Sequence, residues 1–194
     1  MKKIFSIVAG IAVLLAVSVF ARQSAGVFQA ESLKPRDSVL RVSVGEVAPD
    51  FSLPSIDGHL VTLSGYRGKK NVMLSFVPAA WAPVCSDQWA GYKPALGLFE
   101  RYDTQLIGIT VDNLPALSAW TEHMGGVGFP VLSDFWPHGA VAERYGVLRL
   151  DGTAERALFL IDKQGVIRFI DVYDINLRPD LADIVREMGK LPGK

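Results

Sequence analysis

The sequence contains one cysteine, Cys85, and its surroundings favour a reactive thiol. An apolar run over residues 71–77 is typical of a buried central strand, and a helix is predicted from Pro83 onward. Proline suits the first helical position because its missing N–H group is not needed there. Cys85 is therefore expected among free backbone N–H groups at the positive end of the helix dipole, which favours the nucleophilic thiolate.

The commonest fate of a lone cysteine is different, because such a residue usually serves as a small apolar member of the core. The position of Cys85 just after a strand, and the residues around it, argue for a reactive thiol instead. No second cysteine is present to form an internal disulfide, so in an oxidising compartment this thiol would be free to react.

Strand and helix patterns alternate along the chain, which predicts an α/β fold with a central mixed sheet flanked by helices. A hairpin is expected across the turn at Gly165, and Asp112 or Asn113 is expected to cap a helix. The predicted strands cover residues 39–44, 71–77, 105–111, 128–132, 157–161 and 166–172, and the predicted helices cover residues 83–102, 114–123, 138–145 and 178–188.

The first residues are typical of export. Lys2 and Lys3 precede an uncharged apolar run over residues 4–20, the pattern of a secretory signal or an uncleaved signal-anchor. A buried helix of the domain is the alternative, but no charge confines the run to one face. We predict a signal peptide or signal-anchor at residues 1–21, a tether at 22–44 and a folded domain at 45–194. The expected location is extracytoplasmic, in the periplasm or on the outer face of the cytoplasmic membrane, anchored or secreted.

The composition narrows the range of partners. Lys plus Arg and Asp plus Glu number 20 each, so the net charge gives no reason to expect a nucleic-acid partner. The three histidines lack metal-ligand spacing, and the sequence has no Gly-rich phosphate loop. We expect neither a metal site nor a cofactor.

A resemblance to a known family rests on residues 78–85, which read Pro-Ala-Ala-Trp-Ala-Pro-Val-Cys. This segment resembles the active-site loop of the peroxiredoxins, in the alkyl hydroperoxide reductase and thiol-specific antioxidant family, where a proline stands seven residues before the reactive cysteine. The similarity extends over about residues 44–188. Residues 136–141 are especially similar to the one-cysteine, alkyl hydroperoxide reductase E branch. The resemblance implies a thioredoxin-like fold.

The implied activity is that of a thiol-dependent peroxidase, an oxidoreductase that reduces hydrogen peroxide or organic hydroperoxides through Cys85. Arg156 matches the family's catalytic arginine, which would stabilise the thiolate and polarise the peroxide. An alternative for Arg156 is a surface ion pair with Asp151 or Glu155. With one cysteine, the sulfenic acid must be reduced by an external low-molecular-weight thiol or a redox partner protein. Relatives often form dimers, so a homodimer is also expected.

Further roles follow from the same resemblance. Pro78 would shield the sulfenic acid from water, or would simply end the strand. The backbone N–H groups of Val84 and Cys85 would bind the peroxide oxygens. Trp81 would form a wall of the pocket, or would pack in the core.

Two positions depart from the family pattern. Ala82 stands where the family has a Thr or Ser hydroxyl that contacts the peroxide. Because removing one transition-state donor costs on the order of 10²–10³ in rate, we expect reduced peroxidase activity or a compensating donor. Gln88 stands where a glutamate is usual, although some relatives share this change.

Two other functions remain open. Residues 81–85 also resemble a Trp-Cys-Pro-x-Cys motif whose first cysteine has become Ala82, which suggests a membrane-tethered thioredoxin-like thiol-disulfide protein. Such a protein needs that first thiol as its nucleophile, and its usual Pro-Thr pair before the hairpin is absent. A non-catalytic binding module that kept the fold is the third class. The retention of both Cys85 and Arg156 argues against it.

Overall fold

A five-stranded mixed sheet forms the centre of residues 34–191, the part of the chain that this computed structural model describes. The strands are β1 (Ser52–Pro54), β2 (Leu60–Thr62), β3 (Asn71–Phe76), β4 (Thr104–Thr110), β5 (Val131–Ser133), β6 (Arg156–Ile161) and β7 (Ile167–Tyr173). The helices are α1 (Pro83–Tyr92), α2 (Leu96–Arg101), α3 (Leu114–His123), α4 (Ala140–Tyr145) and α5 (Leu181–Met188), with 3₁₀ turns at Leu63–Tyr66 and Lys93–Ala95.

The strand order in the sheet is β5-β4-β3-β6-β7. β3 pairs with β4, and β4 with β5, in parallel, as expected for strands joined through helices. β6 lies antiparallel to both β3 and β7, which form its two neighbours. β1 and β2 make a separate antiparallel pair. This arrangement confirms the predicted α/β fold with a mixed central sheet.

Helices cover both faces of the sheet, and the alternation of strand side chains explains how. Val72, Leu74 and Phe76 of β3 join the cluster that includes α4, whereas Met73 joins the cluster that includes α1. We call these sides the α4 face and the α1 face. The α1 face is also packed by apolar residues of α2, α3 and α5.

A glycine in β4 lets α1 lie close to the sheet. A Cβ atom on Gly108 would lie 2.6 Å from Cζ2 of Trp89, so the Trp89 ring occupies the space that a side chain would need. Trp89 also lies against Trp120 of α3, with ring centroids 4.9 Å apart. The helix that carries Cys85 in its first turn is thereby packed closely against β4.

Several predicted boundaries were wrong for local reasons. The helix predicted at residues 83–102 is divided by a 3₁₀ turn that contains Pro94, because proline has no N–H for the α-helical ladder. α4 begins at Ala140 rather than His138, since Gly139 adopts a φ of 65° ahead of it. α5 begins at Leu181, after Pro179 and the cap residue Asp180.

The strand predicted at residues 39–44 is absent from the described structure, where this segment has no regular secondary structure. Arg41 N donates to Tyr145 O at 3.3 Å, and no strand ladder extends from that bond within the described residues. Among the other predicted elements, β3, β4, α3 and the β6–β7 hairpin lie within two residues of their predicted bounds, whereas β5 begins at Val131 rather than residue 128.

The predicted signal peptide or signal-anchor at residues 1–21 lies outside the described residues, as does the tether before residue 34. Between residues 34 and 191, none of the helices has both the length and the apolar character required to cross a bilayer.

Candidate active site

Cys85 lies in the first turn of α1, at the carboxyl end of the central strand β3. Pro83 occupies the first turn of this helix, as predicted. The Cys85 side chain is 0% exposed and belongs to the cluster on the α1 face. Burial alone would fit a core cysteine, so the chemistry of the site depends on what else touches the sulfur.

The N-terminus of α1 has no side-chain cap. Its N-cap residue is Ala82, in an extended conformation, and its first backbone bond runs from Ser86 N to Ala82 O at 3.0 Å. The N–H groups of Val84 and Cys85 precede that bond, which leaves them directed out of the helix end. Ser86 Oγ donates to the same carbonyl at 3.2 Å and accepts from Trp120 Nε1 at 2.9 Å. The Ser86 hydroxyl is therefore already engaged.

Arg156 reaches the cysteine from the neighbouring strand. Residue 157 of β6 pairs with Phe76 of β3, so Arg156 lies beside the end of the strand that leads to Cys85. Because side chains alternate along a strand, the Arg156 side chain lies on the same side of the sheet as those of Leu158 and Leu160, which line the α1 face. Arg156 Nη2 donates to Cys85 Sγ at 3.5 Å across 71 residues of sequence.

The guanidinium of Arg156 is almost completely buried, with 1% of the residue exposed. It donates to Gln88 Oε1 through Nη1, and to Ile175 O through Nε at 3.2 Å and Nη2 at 2.9 Å. The three hydrogen bonds other than the contact with the sulfur therefore go to two neutral oxygens. Within residues 34–191, no carboxylate pairs with this guanidinium, so the sulfur is the group beside it that can carry negative charge.

The alternative of a surface ion pair for Arg156 is wrong. Asp151 and Glu155 both pair with Arg149 instead, at 3.5 Å and 2.7 Å. The reason is geometric, because Glu155 precedes Arg156 in extended backbone and points to the opposite face.

Gln88 connects the arginine to a buried polar network. Its Nε2 donates to Ser75 Oγ at 3.2 Å and to Tyr92 Oη at 3.0 Å, while Trp89 Nε1 also donates to Ser75 Oγ at 3.1 Å. Burial raises the pKa of Tyr92 to about 12, so its hydroxyl remains neutral. The amide of Gln88 is held from both ends, and this fixes the oxygen that faces Arg156.

The loop between β3 and α1 covers the cysteine. Pro78 is buried at its start, and Ala80 N donates to Asp112 Oδ2 at 2.8 Å. Ala80 and Ala82 pack against the cluster that contains Cys85. Trp81 has a φ of 66° and is 51% exposed, so the prediction that it packs in the core is wrong. Its ring lies 5.2 Å from that of His123.

The structure brings Cys85 and Arg156 into contact, and places Pro78, Ala82 and Val84 in the same loop and helix end. Sequence reasoning missed Ile175, which contributes only a backbone carbonyl and so leaves no side-chain signature. It also missed Ser75 and Tyr92. For Tyr92, the spacing of four residues from Gln88 on one helix face is a signal that could have revealed the contact.

The described residues contain no group of three or more His, Cys, Asp or Glu side chains placed to hold a metal ion.

Comparison with known proteins decides the family. Residues 44–170 match the model of the AhpC/TSA family. The chain is a member of the AhpC/TSA family of peroxiredoxins. It is therefore a peroxide-reducing oxidoreductase of the peroxiredoxin type, and its single cysteine fits a one-cysteine mechanism. The family match favours this prediction over the thiol-disulfide protein and the binding module.

Individual relatives agree with this assignment. The peroxiredoxin is 42% identical to the alkyl hydroperoxide reductase E of Mycobacterium tuberculosis over 132 residues, which are 68% of this chain and 86% of that protein. It is 30% identical to a chloroplastic 2-cysteine peroxiredoxin of Chattonella marina var. antiqua over 158 residues, 77% of this chain and 80% of that one. The crystal structure of reduced Plasmodium vivax 2-Cys peroxiredoxin superposes with a TM-score of 0.70 at 28% identity, covering 76% of this chain and 81% of that chain. These likenesses confirm the thioredoxin-like fold.

Proposed function

We propose that Cys85 is the peroxidatic cysteine of a one-cysteine peroxidase and that Arg156 assists it. The observation that carries this proposal is the 3.5 Å contact between Arg156 Nη2 and Cys85 Sγ in a buried site without a competing carboxylate among the described residues. A guanidinium donates but cannot accept, so the sulfur is the acceptor in this pair. Such a charge-assisted contact favours the thiolate, which is the nucleophile.

In the proposed reaction, the thiolate attacks the terminal oxygen of the peroxide. An S–O bond forms while the O–O bond breaks, and the leaving alkoxide or hydroxide takes up a proton to become an alcohol or water. Cys85 becomes a sulfenic acid, oxidised by two electrons. In this proposal, Arg156 and the N–H groups of Val84 and Cys85 stabilise the negative charge that moves onto the leaving oxygen.

The second half of the proposed cycle requires a thiol from outside the chain, because the sequence has no second cysteine. That thiol attacks the sulfenic acid, water leaves, and a mixed disulfide forms. A second thiol then releases Cys85 and departs as a disulfide. The reductant is a low-molecular-weight thiol or a redox partner protein.

Access to Cys85 requires movement of the covering loop. The sulfur lies in a residue that is 0% exposed, beneath a loop held by the Ala80–Asp112 hydrogen bond. Pro78 lies at the start of that loop and would limit the exposure of the sulfenic acid to water. Trp81 lies at the surface of the same loop, where it forms part of the proposed entrance.

Stopped-flow mixing of the full-length protein with hydrogen peroxide tests this function. Oxidation is followed by the fluorescence of the four tryptophans, of which Trp89 and Trp120 lie against each other on the face that contains Cys85. We expect a rate far above that of free cysteine at the same pH, abolished in Cys85→Ser and lowered in Arg156→Lys. A wild-type rate equal to that of free cysteine would contradict the peroxidase function.

Arg156→Lys separates the role of Arg156 from that of Cys85. Arg156→Lys keeps the charge but loses the planar fork that contacts Gln88 and Ile175 together. If that variant oxidised as fast as the wild type, the role assigned to Arg156 would be wrong while that of Cys85 would stand.

We further propose that the protein works outside the cytoplasm, anchored or secreted, and that it forms a homodimer. Support for export comes from Lys2 and Lys3 followed by the uncharged run over residues 4–20. Intact-mass measurement of the protein from fractionated cells distinguishes a cleaved leader from an anchor, and recovery only in the cytoplasmic fraction would contradict export. Sedimentation of the purified protein tests the dimer.

A further inference from the structure

An irregular segment at residues 34–42 lies on the domain, ahead of the residues that match the family model; we call it the strap. Its backbone passes directly over Gly146, where a Cβ atom would lie 2.3 Å from both Arg41 N and Val39 O. Gly146 also has a φ of +75°, which suits glycine. The close approach is therefore built into the end of α4.

A buried ionic cluster binds the strap to the residue next to Arg156. Glu155 is 0% exposed, and its Oε1 accepts from the backbone N–H groups of Asp37 at 2.8 Å and Ser38 at 3.1 Å. Its Oε2 accepts from Arg149 Nη1 at 2.7 Å. Arg149 Nη2 in turn lies 3.5 Å from Asp37 Oδ2 and donates to Lys34 O at 2.9 Å. The Glu155 carboxylate and the Arg149 guanidinium are thus bonded to each other, and each is also bonded to the strap.

A second connection reaches Arg156 through one residue. Ile175 N donates to Pro35 O at 3.1 Å, and Ile175 O accepts two bonds from the Arg156 guanidinium. The strap therefore fixes the backbone that provides the only backbone carbonyl acceptor found for Arg156 among the described residues. It also holds Glu155, the neighbour of Arg156 along the chain.

We propose that the strap is a positioning element for Arg156, with Asp37 and Glu155 as its positioning residues. One connection holds the Ile175 carbonyl, which accepts from the guanidinium, and the other holds Glu155, the residue before Arg156. When the strap detaches, the Ile175 carbonyl is free to move, and the guanidinium is no longer held in contact with the sulfur. This inference rests on the proposed function of Cys85 and Arg156, and it assigns a role to residues outside the family match.

Two substitutions in the full-length protein weaken the strap without touching the site. Ser38→Pro removes the N–H group that donates to Glu155 Oε1. Asp37→Asn removes the charge that pairs with Arg149 while keeping the shape of the side chain. We expect the rate of Cys85 oxidation to fall on the order of 10-fold or more, because small displacements of a catalytic group cost up to about 100-fold. The pH profile of Cys85 alkylation by iodoacetamide should move to higher pH in the same variants.

Arg41→Ala is the matched control. Arg41 lies on the same strap, but its side chain pairs with the exposed Glu143 at 3.2 Å and its backbone N–H bond survives the substitution. We expect a wild-type oxidation rate and a wild-type alkylation profile for this variant. If Arg41→Ala lowered the oxidation rate as much as Asp37→Asn, any damage to the strap would have the same effect. That result would contradict a specific route through Asp37.

Combination with Arg156→Lys separates positioning from general stability. If the strap acts through the guanidinium, Asp37→Asn should lower the rate far less in the Arg156→Lys background than in the wild type. Equal losses in both backgrounds, or wild-type rates and alkylation profiles in both strap variants, would overturn the inference. If the wild type were oxidised by peroxide no faster than free cysteine, the proposed function itself would be contradicted. Failure of the proposed function can thus be distinguished from failure of the strap inference.

Discussion

Glu155 and Arg156 are adjacent in the chain, yet their side chains serve separate buried clusters. Glu155 pairs with Arg149 at 2.7 Å, whereas Arg156 donates to Cys85 Sγ at 3.5 Å. Extended backbone directs successive side chains to opposite faces, so the two opposite charges never meet. The consequence is a guanidinium beside Cys85 that no carboxylate neutralises within residues 34–191.

The charge of residue 88 should control the reactivity of Cys85. In Gln88→Glu a carboxylate would replace the neutral oxygen that accepts from Arg156. The guanidinium would then have a second anion beside it, and the thiolate would lose part of its stabilisation. We expect peroxide oxidation at neutral pH to slow by about 10-fold, measured by stopped flow, with the alkylation profile displaced to higher pH.

Gln164→Glu is the control for that experiment, since it makes the same chemical change at an exposed turn of the β6–β7 hairpin. It should leave both measurements unchanged. Equal rates in Gln88→Glu and the wild type would mean that the thiolate does not depend on the net charge around Arg156.

A hydroxyl at position 82 should improve both the helix and the chemistry. Ala82 is the N-cap of α1, in an extended conformation without a side-chain hydrogen bond. In Ala82→Thr the hydroxyl can accept from one of the two free N–H groups, which leaves the other for the peroxide, with a gain of about 1 kcal/mol in the free energy of unfolding. The peroxide rate should also rise, by up to about 10²-fold, because a donor is restored at the reacting oxygen.

Ala82→Val is the shape-matched control for Ala82→Thr, since it adds the same bulk without the hydroxyl. It should give neither the stability gain in urea unfolding nor the faster oxidation. If Thr and Val behaved alike, the effect would come from packing of the loop rather than from hydrogen bonding.

Gly108→Ala should destabilise the domain without backbone strain. The new Cβ would lie 2.6 Å from the Trp89 ring, which forces the indole and α1 away from β4. Overpacking of this kind costs about 1–3 kcal/mol. Urea unfolding should show a lower midpoint at an unchanged m-value.

Gly97→Ala provides the comparison, because Gly97 lies in α2 with nothing within 4 Å of its added Cβ. That substitution should stabilise by about 0.5–1 kcal/mol through helix propensity. An equal loss of stability in both variants would contradict the packing explanation for Gly108.

The pH dependence of stability should carry a signature of Tyr92. Its pKa is raised by burial from 10.0 to about 12, so the folded state keeps a proton that the unfolded state loses. The corresponding stability is fully present below pH 10 and is lost as the pH rises toward 12, by at most about 3 kcal/mol. Unfolding free energies measured from pH 9 to pH 12 should fall more steeply in the wild type than in Tyr92→Phe. Parallel pH curves for the two proteins would contradict the assignment.

The parts of the fold that the sequence predicted well have strong local signals. β3 is a largely apolar run, α3 is preceded by the N-cap Asn113, whose side chain accepts from Ala116 N, and α4 is followed by the C-cap Gly146 in a left-handed conformation. The helix over residues 83–102 was predicted too long because its apolar spacing continues past Pro94, where the missing N–H breaks the ladder.

The site was predictable only in part. Cys85 was singled out by its position at the start of a predicted helix and then by the family resemblance, and Arg156 by the resemblance alone. The structure places them in contact, while their catalytic roles stay predictions. Ile175 and Pro35 act through backbone carbonyls, which any residue type provides, so no sequence pattern marks them. The Arg149–Glu155 pair lies within the single loop between α4 and β6, which folds back on itself at the Leu148–Ala154 bridge, and no regular period predicts a contact at a spacing of six residues.

Because Cys85 is completely buried, the oxidation and the reduction steps of the proposed cycle should proceed at different rates. A small peroxide needs only a brief opening of the loop, whereas a reducing thiol is bulkier and must reach the same sulfur without help from a second cysteine. Oxidation and reduction therefore pass through openings of different size. Where small reductants are scarce, the oxidised protein would persist after the peroxide has been consumed. The oxidised fraction of the protein would then report earlier exposure to peroxide.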